Sequence, residues 1–226
     1  MSLKGKVALI TGASTIPGSN IAVALAREGV KVAVEGVAGV QERVLRTVET
    51  FRGNALPVRG NIADESDVNH MLSNVTAIMG HVDILINASG LSLNKTIEDT
   101  SVEEFDKIMS SRVRAAFLCS KAVIPGMKER GAGHIITIGP PQRKRTGRNH
   151  IAVCASEDAL IGFSHSLAQE LCGTAIRVST IFPESSTDHE NPQMYGGIDP
   201  EEIAQGVILL INQSGTSART RLFLQS

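Results

Sequence analysis

The feature that most constrains this chain is a short apolar strand at residues 6–10 with the turn and helix that follow it. The turn reads Thr-Gly-Ala-Ser-Thr-Ile-Pro-Gly over residues 11–18, and an amphipathic helical pattern continues over Ser19–Glu28. A buried strand, a glycine-bearing turn and an amphipathic helix form the opening of a βαβ unit. In dinucleotide-binding proteins, such a turn lets the backbone approach a pyrophosphate, which rests on amides at the helix N-terminus.

Strand and helix patterns alternate along the rest of the chain. Further strands are predicted at Val30–Glu35, Leu56–Arg59, Val82–Ile86, His134–Ile138, Ile176–Ile181 and Arg221–Gln225. Helices are predicted at Gln41–Phe51, Glu65–Met79, Phe105–Arg130 and Ala155–Leu171, with further helix starts at the capping box Ser101–Glu104 and at Asp199. Because the connections between strands are helical, we expect the strands to pair in parallel.

Composition restricts the class of protein. A chain of 226 residues that is 42% hydrophobic can bury one substantial core, which predicts a single domain over 1–226. The 22 basic and 23 acidic residues leave no overall field for nucleic acid or a membrane surface, so we expect neither partner. The absence of a signal-peptide pattern or a spanning apolar run predicts a cytoplasmic protein. Cys119, Cys154 and Cys172 lack the spacing of a zinc site or disulfide framework.

Several motifs resemble the short-chain dehydrogenase/reductase family, with wording similar to its 3-oxoacyl-acyl-carrier-protein reductases. The family turn reads Thr-Gly-x-x-x-Gly-x-Gly; Gly12 and Gly18 match it, whereas Ile16 replaces the middle glycine and Pro17 has no N–H. Further matches are Asn87–Gly90, the stretch 116–130 and Ala159–Ser164. The resemblance covers essentially the whole chain and implies a Rossmann-like, doubly wound parallel sheet of about seven strands.

The same resemblance implies a weakened cofactor cleft. The positions that correspond to cofactor contacts are Gly12, Ser14, Ile16, Gly18, Asn61, Asn87 and Gly90. Gly36 and Val37 occupy the positions that select NAD or NADP, and neither carries a carboxylate or a cation. Glu35 comes one residue early, and the period of two along a strand predicts that it faces the opposite side. We therefore expect NAD or NADP, if either is the ligand, to bind weakly.

The family's catalytic residues are a Tyr, a Lys four residues later, a Ser and an Asn. The register of the matching motifs places Val153, Glu157, Pro140 and Arg112 at these positions in that order. Tyr195 is the only tyrosine, and no Tyr-x-x-x-Lys occurs anywhere in the chain. The leading hypothesis is a catalytically silent member of the family that acts as a structural, regulatory or ligand-binding protein.

Two other functions stay open. One is an NAD(P)-dependent oxidoreductase with a rebuilt site. The other is a non-redox acid–base enzyme that uses His150, Cys154, Glu157 and Arg112 in the remodelled pocket. The opposite charges of Arg112 and Glu157 also predict an ion pair across that pocket.

The sequence makes two predictions about partners. In the family, the helices that correspond to residues 116–127 and 155–171 pair across a two-fold axis, which implies a homodimer or homotetramer. The run from Arg143 to His150 contains Arg143, Lys144, Arg145 and Arg148. Such a run is either a solvated loop or an anion-binding lip above the former active site.

Overall fold

A parallel β-sheet organises the fold in the computed structural model, which describes residues 3–139, 142–143, 149–185, 198–213 and 219–225. The strands are β1 Val7–Thr11, β2 Lys31–Glu35, β3 Ala55–Val58, β4 Ile84–Asn87, β5 Gly133–Ile138, β6 Gln142–Arg143, β7 Ile176–Ser185 and β8 Arg219–Gln225. The spatial order is β3-β2-β1-β4-β5-β7, and β8 pairs with β7. The two-residue β6 pairs with the end of β7. All pairings are parallel, which confirms the predicted fold class.

Helices cover both faces of this sheet. They are α1 Ile16–Arg27, α2 Ala38–Thr50, α3 Glu65–Met79, α4 Val102–Met109, α5 Ala115–Arg130, α6 Ile151–Glu170 and α7 Pro200–Asn212. Side chains of α1, α2 and α7 share one apolar core with the sheet, and side chains of α3, α5 and α6 share the other. None of the helices within the described ranges is both long and apolar enough to span a bilayer.

Alternation along the strands supplies both cores. In β1, Ala8 and Ile10 belong to the core under α1, whereas Val7 and Leu9 belong to the core under α3 and α5. Parallel strands that are buried on both faces read as nearly continuous apolar runs, as this one does. With both faces covered, the carboxyl ends of the strands form the edge at which open α/β sheets bind ligands.

Some helix boundaries differ from the sequence prediction for local reasons. The first helix starts at Ile16, three residues early, because Thr15 acts as its N-cap and accepts a hydrogen bond from the Gly18 amide. Proline is favourable in the first helical turn because its nitrogen needs no acceptor there. The predicted Glu65–Met79 helix is confirmed at both ends. The Ser101–Glu104 capping box is also confirmed by reciprocal hydrogen bonds of 3.2 and 3.0 Å.

The predicted long helix over Phe105–Arg130 is interrupted. A π-helical turn, Ser110–Arg114, joins α4 to α5. Such turns insert a residue into the helix and are frequent at functional sites. This one carries the buried Arg112, which therefore lies beside the carboxyl edge of the sheet.

A buried histidine on β5, His134, contacts a residue of β7. His134 Nε2 is 2.8 Å from the Ser179 hydroxyl. Burial, with a smaller contribution from the Arg177 cation, lowers the pKa of His134 to about 3. The ring is therefore neutral at physiological pH, and protonating it would place an unfavourable charge in the core.

Candidate ligand cleft at the carboxyl edge of the sheet

A cleft of about 680 Å³ opens at the carboxyl ends of β1, β2 and β4. Its walls come from the turn after β1, the end of β2, the segments after β3 and β4, and the α4–π-turn region. Four of the predicted cofactor residues line it: Gly12, Ser14, Asn61 and Gly90. The position is the one expected for a ligand site in a doubly wound sheet.

The other predicted cofactor residues lie around this cleft. Ile16, whose side chain is 37% exposed, lines a second groove of about 430 Å³ between α1 and α2. Gly18 is buried, and a Cβ there would lie 2.9 Å from the carbonyl carbon of Gly12, so a glycine lets α1 approach the turn. Asn87 is buried on β4, where its amide lies 3.5 Å from the Ser120 hydroxyl.

The turn after β1 uses most of its own amides. The Gly12 amide donates to Glu35 Oε2 at 2.9 Å, and the Ala13 amide donates to the Glu35 carbonyl at 2.8 Å. The Thr15 amide donates to the Gly12 carbonyl at 2.8 Å. Backbone N–H groups are obligatory donors, so each bond removes one from any ligand.

The backbone amides at the start of α1 are bonded within the chain as well. The Gly18 amide donates to Thr15 Oγ1 at 3.3 Å, and the Ser19 amide donates to the Thr15 carbonyl at 3.1 Å. Pro17 contributes no donor. Within residues 12–19, only the Ser14 and Ile16 amides have no acceptor among the described residues. The turn therefore keeps the shape of a phosphate-binding turn and few of its donors.

Glu35 faces the cleft, so the prediction that it points to the opposite side is wrong. Its carboxylate reaches the Gly12 amide and forms part of the cleft wall. Glu35 is the last residue of β2, and its neighbours are held against the β1 turn rather than continuing a regular strand. Burial raises the pKa of this carboxyl, and the Gly12 hydrogen bond opposes that shift.

The residues after Glu35 are fixed by Ser14. The Val37 amide donates a hydrogen bond to the Ser14 hydroxyl oxygen. Gly36 lies so close that a Cβ there would be 2.8 Å from the Ser14 nitrogen. Gly36 therefore allows the two loops to meet, and Val37 is left 69% exposed at the rim of the cleft.

A third loop closes the side of the cleft after β3. Asn61 Oδ1 accepts a hydrogen bond of 3.0 Å from the Ala63 backbone amide. The backbone amide of Asn61 donates to Asp67 Oδ2 at 2.7 Å. Arg114 Nε donates to the Ala63 carbonyl at 2.7 Å and so joins this loop to the π turn. Asn61 thus has a structural role in the loop while its side chain lines the cleft.

Lys107, Arg114 and the serines 89, 110 and 111 also line the cleft, and our sequence analysis did not identify them. Lys107 and Arg114 are seven residues apart, which corresponds to two helical turns and one face. This seven-residue spacing is the sequence feature that indicates that Lys107 and Arg114 lie on one side of the helix. The π turn between them could not be predicted from the hydrophobic pattern.

Arg112 fills the space beside Gly90. Its side chain is only 7% exposed, and Nε and Nη2 donate to the Leu91 carbonyl at 3.1 and 2.8 Å. A Cβ at position 90 would lie 2.7 Å from the guanidinium carbon. The glycine of the Asn87–Gly90 turn therefore makes room for an arginine of the same chain.

The remaining candidate catalytic residues lie at the start of α6. His150 is the N-cap, and Val153, Cys154 and Glu157 follow within two turns, all partly buried. This helix packs against the π turn that carries Arg112. Burial, followed by the charges of Glu157 and Asp158, raises the pKa of the Cys154 thiol, which disfavours the reactive thiolate. Pro140 and the side chains of Arg143, Lys144, Arg145 and Arg148 lie outside the described residues.

The cleft matches one part of a nicotinamide dinucleotide and not another. The Glu35 carboxylate suits a sugar hydroxyl, which can donate a hydrogen bond to it. A diphosphate needs several donors at the β1 turn, but Pro17 supplies none, and the amides of Gly12, Ala13, Thr15, Gly18 and Ser19 are already bonded within the chain, which leaves only those of Ser14 and Ile16 among the described residues 12–19. The turn therefore does not suit the diphosphate.

Comparisons with known proteins agree with the fold. A family model described as short chain dehydrogenase matches residues 6–192. An uncharacterized oxidoreductase of Thermotoga maritima is 32% identical over 208 residues, covering 90% of this chain and 81% of the relative. The 2-(R)-hydroxypropyl-CoM dehydrogenase of Xanthobacter autotrophicus is 32% identical over 221 residues, covering 95% and 87%.

A solved structure is similar over the whole length. It is a metagenomic short-chain oxidoreductase in complex with NADP, with a TM-score of 0.88 and 26% identity. The match covers 100% of this chain and 98% of that chain. The backbone similarity therefore extends across the sheet and both helical layers.

Proposed function

We propose that this chain, which belongs to the short-chain dehydrogenase/reductase family, binds a small ligand in its cleft without transferring hydride. It would act as a ligand-binding or regulatory member of the family, a pseudoenzyme in the catalytic sense. The observation that carries this proposal is the turn after β1, most of whose amides are bonded within the chain. Without a bound nicotinamide there is no hydride to transfer.

The energetic effect of this turn is large. Hydrogen bonds to charged groups contribute roughly 1.5–3 kcal/mol each, and every 1.4 kcal/mol changes affinity about tenfold. The loss of two or three such bonds would move a micromolar dinucleotide site into the millimolar range or beyond. A cofactor bound so weakly would be mostly dissociated at ordinary cellular concentrations.

The start of α6 supports the same proposal. The family register assigns Val153 and Glu157 to the positions of the proton-donating Tyr and its Lys. A valine cannot donate a proton, and a carboxylate cannot lower the pKa of a neighbouring acid as a cation does. Both residues lie on α6, the helix that packs against the π turn.

A second candidate is an oxidoreductase with an atypical site. It is favoured by the names of the relatives, which are dehydrogenases and reductases, and by the structural neighbour that holds NADP. The non-redox acid–base enzyme is less well supported, because the raised pKa of the Cys154 thiol disfavours its reactive thiolate form. Both alternatives require turnover, which separates them from the main proposal.

We also propose a homodimer or homotetramer formed through α5 and α6. Phe117 on α5 is 48% exposed and makes an edge-to-face contact with Phe163 on α6, with ring centroids 6.4 Å apart. A large aromatic pair at the surface would gain by being covered. An anionic ligand at the basic run 143–148 and a cytoplasmic location stay predictions from the sequence.

A turnover assay tests the function directly. Purified protein is incubated with NADH or NADPH and a panel of ketones, aldehydes and 3-oxoacyl thioesters, and absorbance at the nicotinamide band is followed. We expect no protein-dependent rate for any pair. The matched control is Val153→Ala, which should leave the same baseline. A protein-dependent rate that Val153→Ala or Glu157→Gln abolishes would overturn the proposal and favour the second candidate.

A further inference from the structure

We propose that Arg112 limits which ligands the cleft accepts, because its guanidinium fills an inner compartment behind the cleft wall and acts there as a ligand tethered to the chain. The inner compartment is the space beside Gly90 and the Leu91 carbonyl that the guanidinium occupies. Without the arginine, this space would accept a planar group that donates hydrogen bonds, such as an amidinium or a guanidinium. The inference rests on the proposed function, since it concerns the ligands of the same cleft.

The guanidinium lies directly behind one wall of the cleft. This wall is the segment 89–91, which follows β4. A Cβ added to Gly90 would lie 2.7 Å from the guanidinium carbon and 2.8 Å from Nη1, so the flat group packs against the glycine backbone. Arg112 is only 7% exposed and is not among the described residues that line the cleft. Its side chain therefore lies behind the wall, outside the space that is open to a ligand.

Four hydrogen bonds among the described residues fasten this wall to the π turn, and two of them do not involve the arginine side chain. The Ser89 hydroxyl donates to the Ser111 carbonyl at 2.9 Å, and the Leu91 amide donates to Ser111 Oγ at 3.3 Å. The other two run from Arg112 Nε and Nη2 to the Leu91 carbonyl at 3.1 and 2.8 Å. If the guanidinium were removed, the Ser111 bonds would still hold the wall, and the Leu91 carbonyl would be left as an acceptor for another planar donor.

The cleft ends at this wall and does not extend to α6. None of the described α6 residues lines the cleft, although α6 packs against the π turn that carries Arg112. The inner compartment therefore lies on the π-turn side of the wall. Because the wall has no side chain at Gly90, truncating Arg112 would make the cleft continuous with this compartment. In the wild-type protein, a ligand must end at the wall.

The arginine is difficult for a ligand to displace. Its guanidinium is charged at every physiological pH, and a buried charge that loses its hydrogen bonds is strongly unfavourable. A ligand that entered the inner compartment would have to move the guanidinium and replace its bonds to the Leu91 carbonyl. An external group with the same planar donors gains no more than the tethered one, and it also loses freedom on binding. The wild-type cleft is therefore selective against ligands that end in such a group.

Chemical rescue of Arg112→Ala tests whether the inner compartment exists. Thermal melts of the full chain are recorded in millimolar guanidinium chloride and in the same concentration of sodium chloride. We expect guanidinium to raise the melting temperature of the variant by about 3–6 °C, which is the shift for a ligand at about ten times its Kd in a chain of this size. Tetramethylammonium, which has no donors, should give no rise, and guanidinium should not stabilise the wild-type protein.

Arg114→Ala is the matched control for this rescue. Arg114 belongs to the same π turn but is exposed to solvent, so its truncation leaves no buried space and guanidinium should not raise its melting temperature. If Arg112→Ala does not fold in sodium chloride, refolding in guanidinium chloride is measured instead by circular dichroism. An absence of rescue in Arg112→Ala, or an equal rise in Arg114→Ala, would overturn the inference.

A substitution in the wall tests the same packing without truncating the arginine. The three atoms nearest to a Cβ at Gly90 all belong to Arg112, so we expect Gly90→Ala to lower the melting temperature by roughly 2–10 °C. In the Arg112→Ala background the same change should cost nothing further, because the Cβ then enters the emptied space. Equal losses in both backgrounds, or a wild-type melting temperature for Gly90→Ala, would overturn the inference.

Benzamidine, a planar amidinium on an aromatic ring, measures the selectivity itself. Calorimetry should show that benzamidine binds Arg112→Ala at least about tenfold more tightly than it binds the wild-type protein. Equal affinities would overturn the inferred selectivity and leave the proposed absence of hydride transfer untouched. Nicotinamide turnover by the wild-type protein would overturn the proposed function, whatever the benzamidine affinities are.

Discussion

The interior of the sheet and its carboxyl edge satisfy their polar groups in different ways. Inside the sheet, apolar strands pair through their backbones and the helices cover them. At the edge, side chains reach back to the protein's own backbone: Glu35 to Gly12, Ser14 to Val37 and Arg112 to Leu91. In a sheet edge that binds a ligand, many of these hydrogen-bond donors and acceptors would be available to the ligand. The scaffold is therefore that of the family, whereas the edge is largely closed on itself, and a fold alone does not establish an activity.

The largest expected effect, among tests of this difference between the sheet interior and its carboxyl edge, is at the predicted ion pair of Arg112 and Glu157. We expect Glu157→Ala to lower the free energy of unfolding by about 3–5 kcal/mol, because it leaves a buried guanidinium without its carboxylate. Urea denaturation measures the loss.

A double-mutant cycle is the control for this pair. Arg112→Asn together with Glu157→Lys should lose less stability than the two single changes added, and should restore no reductase activity. Additive losses, or a loss of under about 1 kcal/mol for Glu157→Ala, would mean that the two residues do not interact and that Glu157 is solvated.

The next largest loss of stability is expected from a substitution in the closely packed turn after β1. A Cβ at Gly12, which has a φ of 70°, would lie 2.5 Å from the Ser89 nitrogen, a backbone atom that cannot move aside. We expect Gly12→Ala to destabilise the fold by about 2–4 kcal/mol. Gly39→Ala is the matched control, since a Cβ there meets nothing within 4 Å, and it should be neutral or stabilising by up to about 1 kcal/mol. Similar melting temperatures for the two variants would contradict the tight turn.

The sheet interior should show its own pH dependence. The pKa of His134 is lowered to about 3, so below the ordinary value of 6.5 the unfolded chain binds a proton that the folded chain does not. Stability should therefore fall as the pH drops from 6.5 towards 3, by about 2 kcal/mol at pH 5 from this group. His134→Gln should remove that part of the slope, whereas His70→Gln, at an exposed position, should not. An unchanged slope in His134→Gln would show that His134 titrates normally.

The smallest effect is expected at the exposed aromatic residue Phe117 on α5. If α5 and α6 form an interface, Phe117→Lys should shift the protein towards monomer, as measured by light scattering. The melting temperature of the monomeric variant should change by only a few degrees. Leu209→Lys is a control, because Leu209 is exposed on α7, away from that surface. A monomeric wild-type protein at micromolar concentration would contradict the interface.

The sequence predicts the scaffold better than the edge, and the reason is physical. Helix α3 follows from its cap and apolar spacing, and both of its ends agree with the prediction. The direction of Glu35 does not follow, because the period of two holds inside a strand, whereas the last residue of β2 is positioned by contacts between loops. The start of α1 was misplaced for a related reason, since Thr15 and Pro17 act as cap and first turn rather than as loop.

The cleft-lining cations show another limit. Lys107 and Arg114 both line the cleft, and Arg114 belongs to a π turn, which hydrophobic periodicity does not reveal. The position of Arg112 could be read from the motif register, but its contact with Leu91 and its packing on Gly90 could not. Long-range contacts of this kind become visible only when the strands are assembled.

Titration of NADH and of NADPH into the wild-type protein by calorimetry tests the central claim most directly. The turn after β1, most of whose amides are bonded within the chain, predicts a dissociation constant in the millimolar range or weaker for both, because two or three hydrogen bonds of roughly 1.5–3 kcal/mol each are missing. A micromolar dissociation constant for either cofactor would contradict the claim that this edge has closed against a dinucleotide.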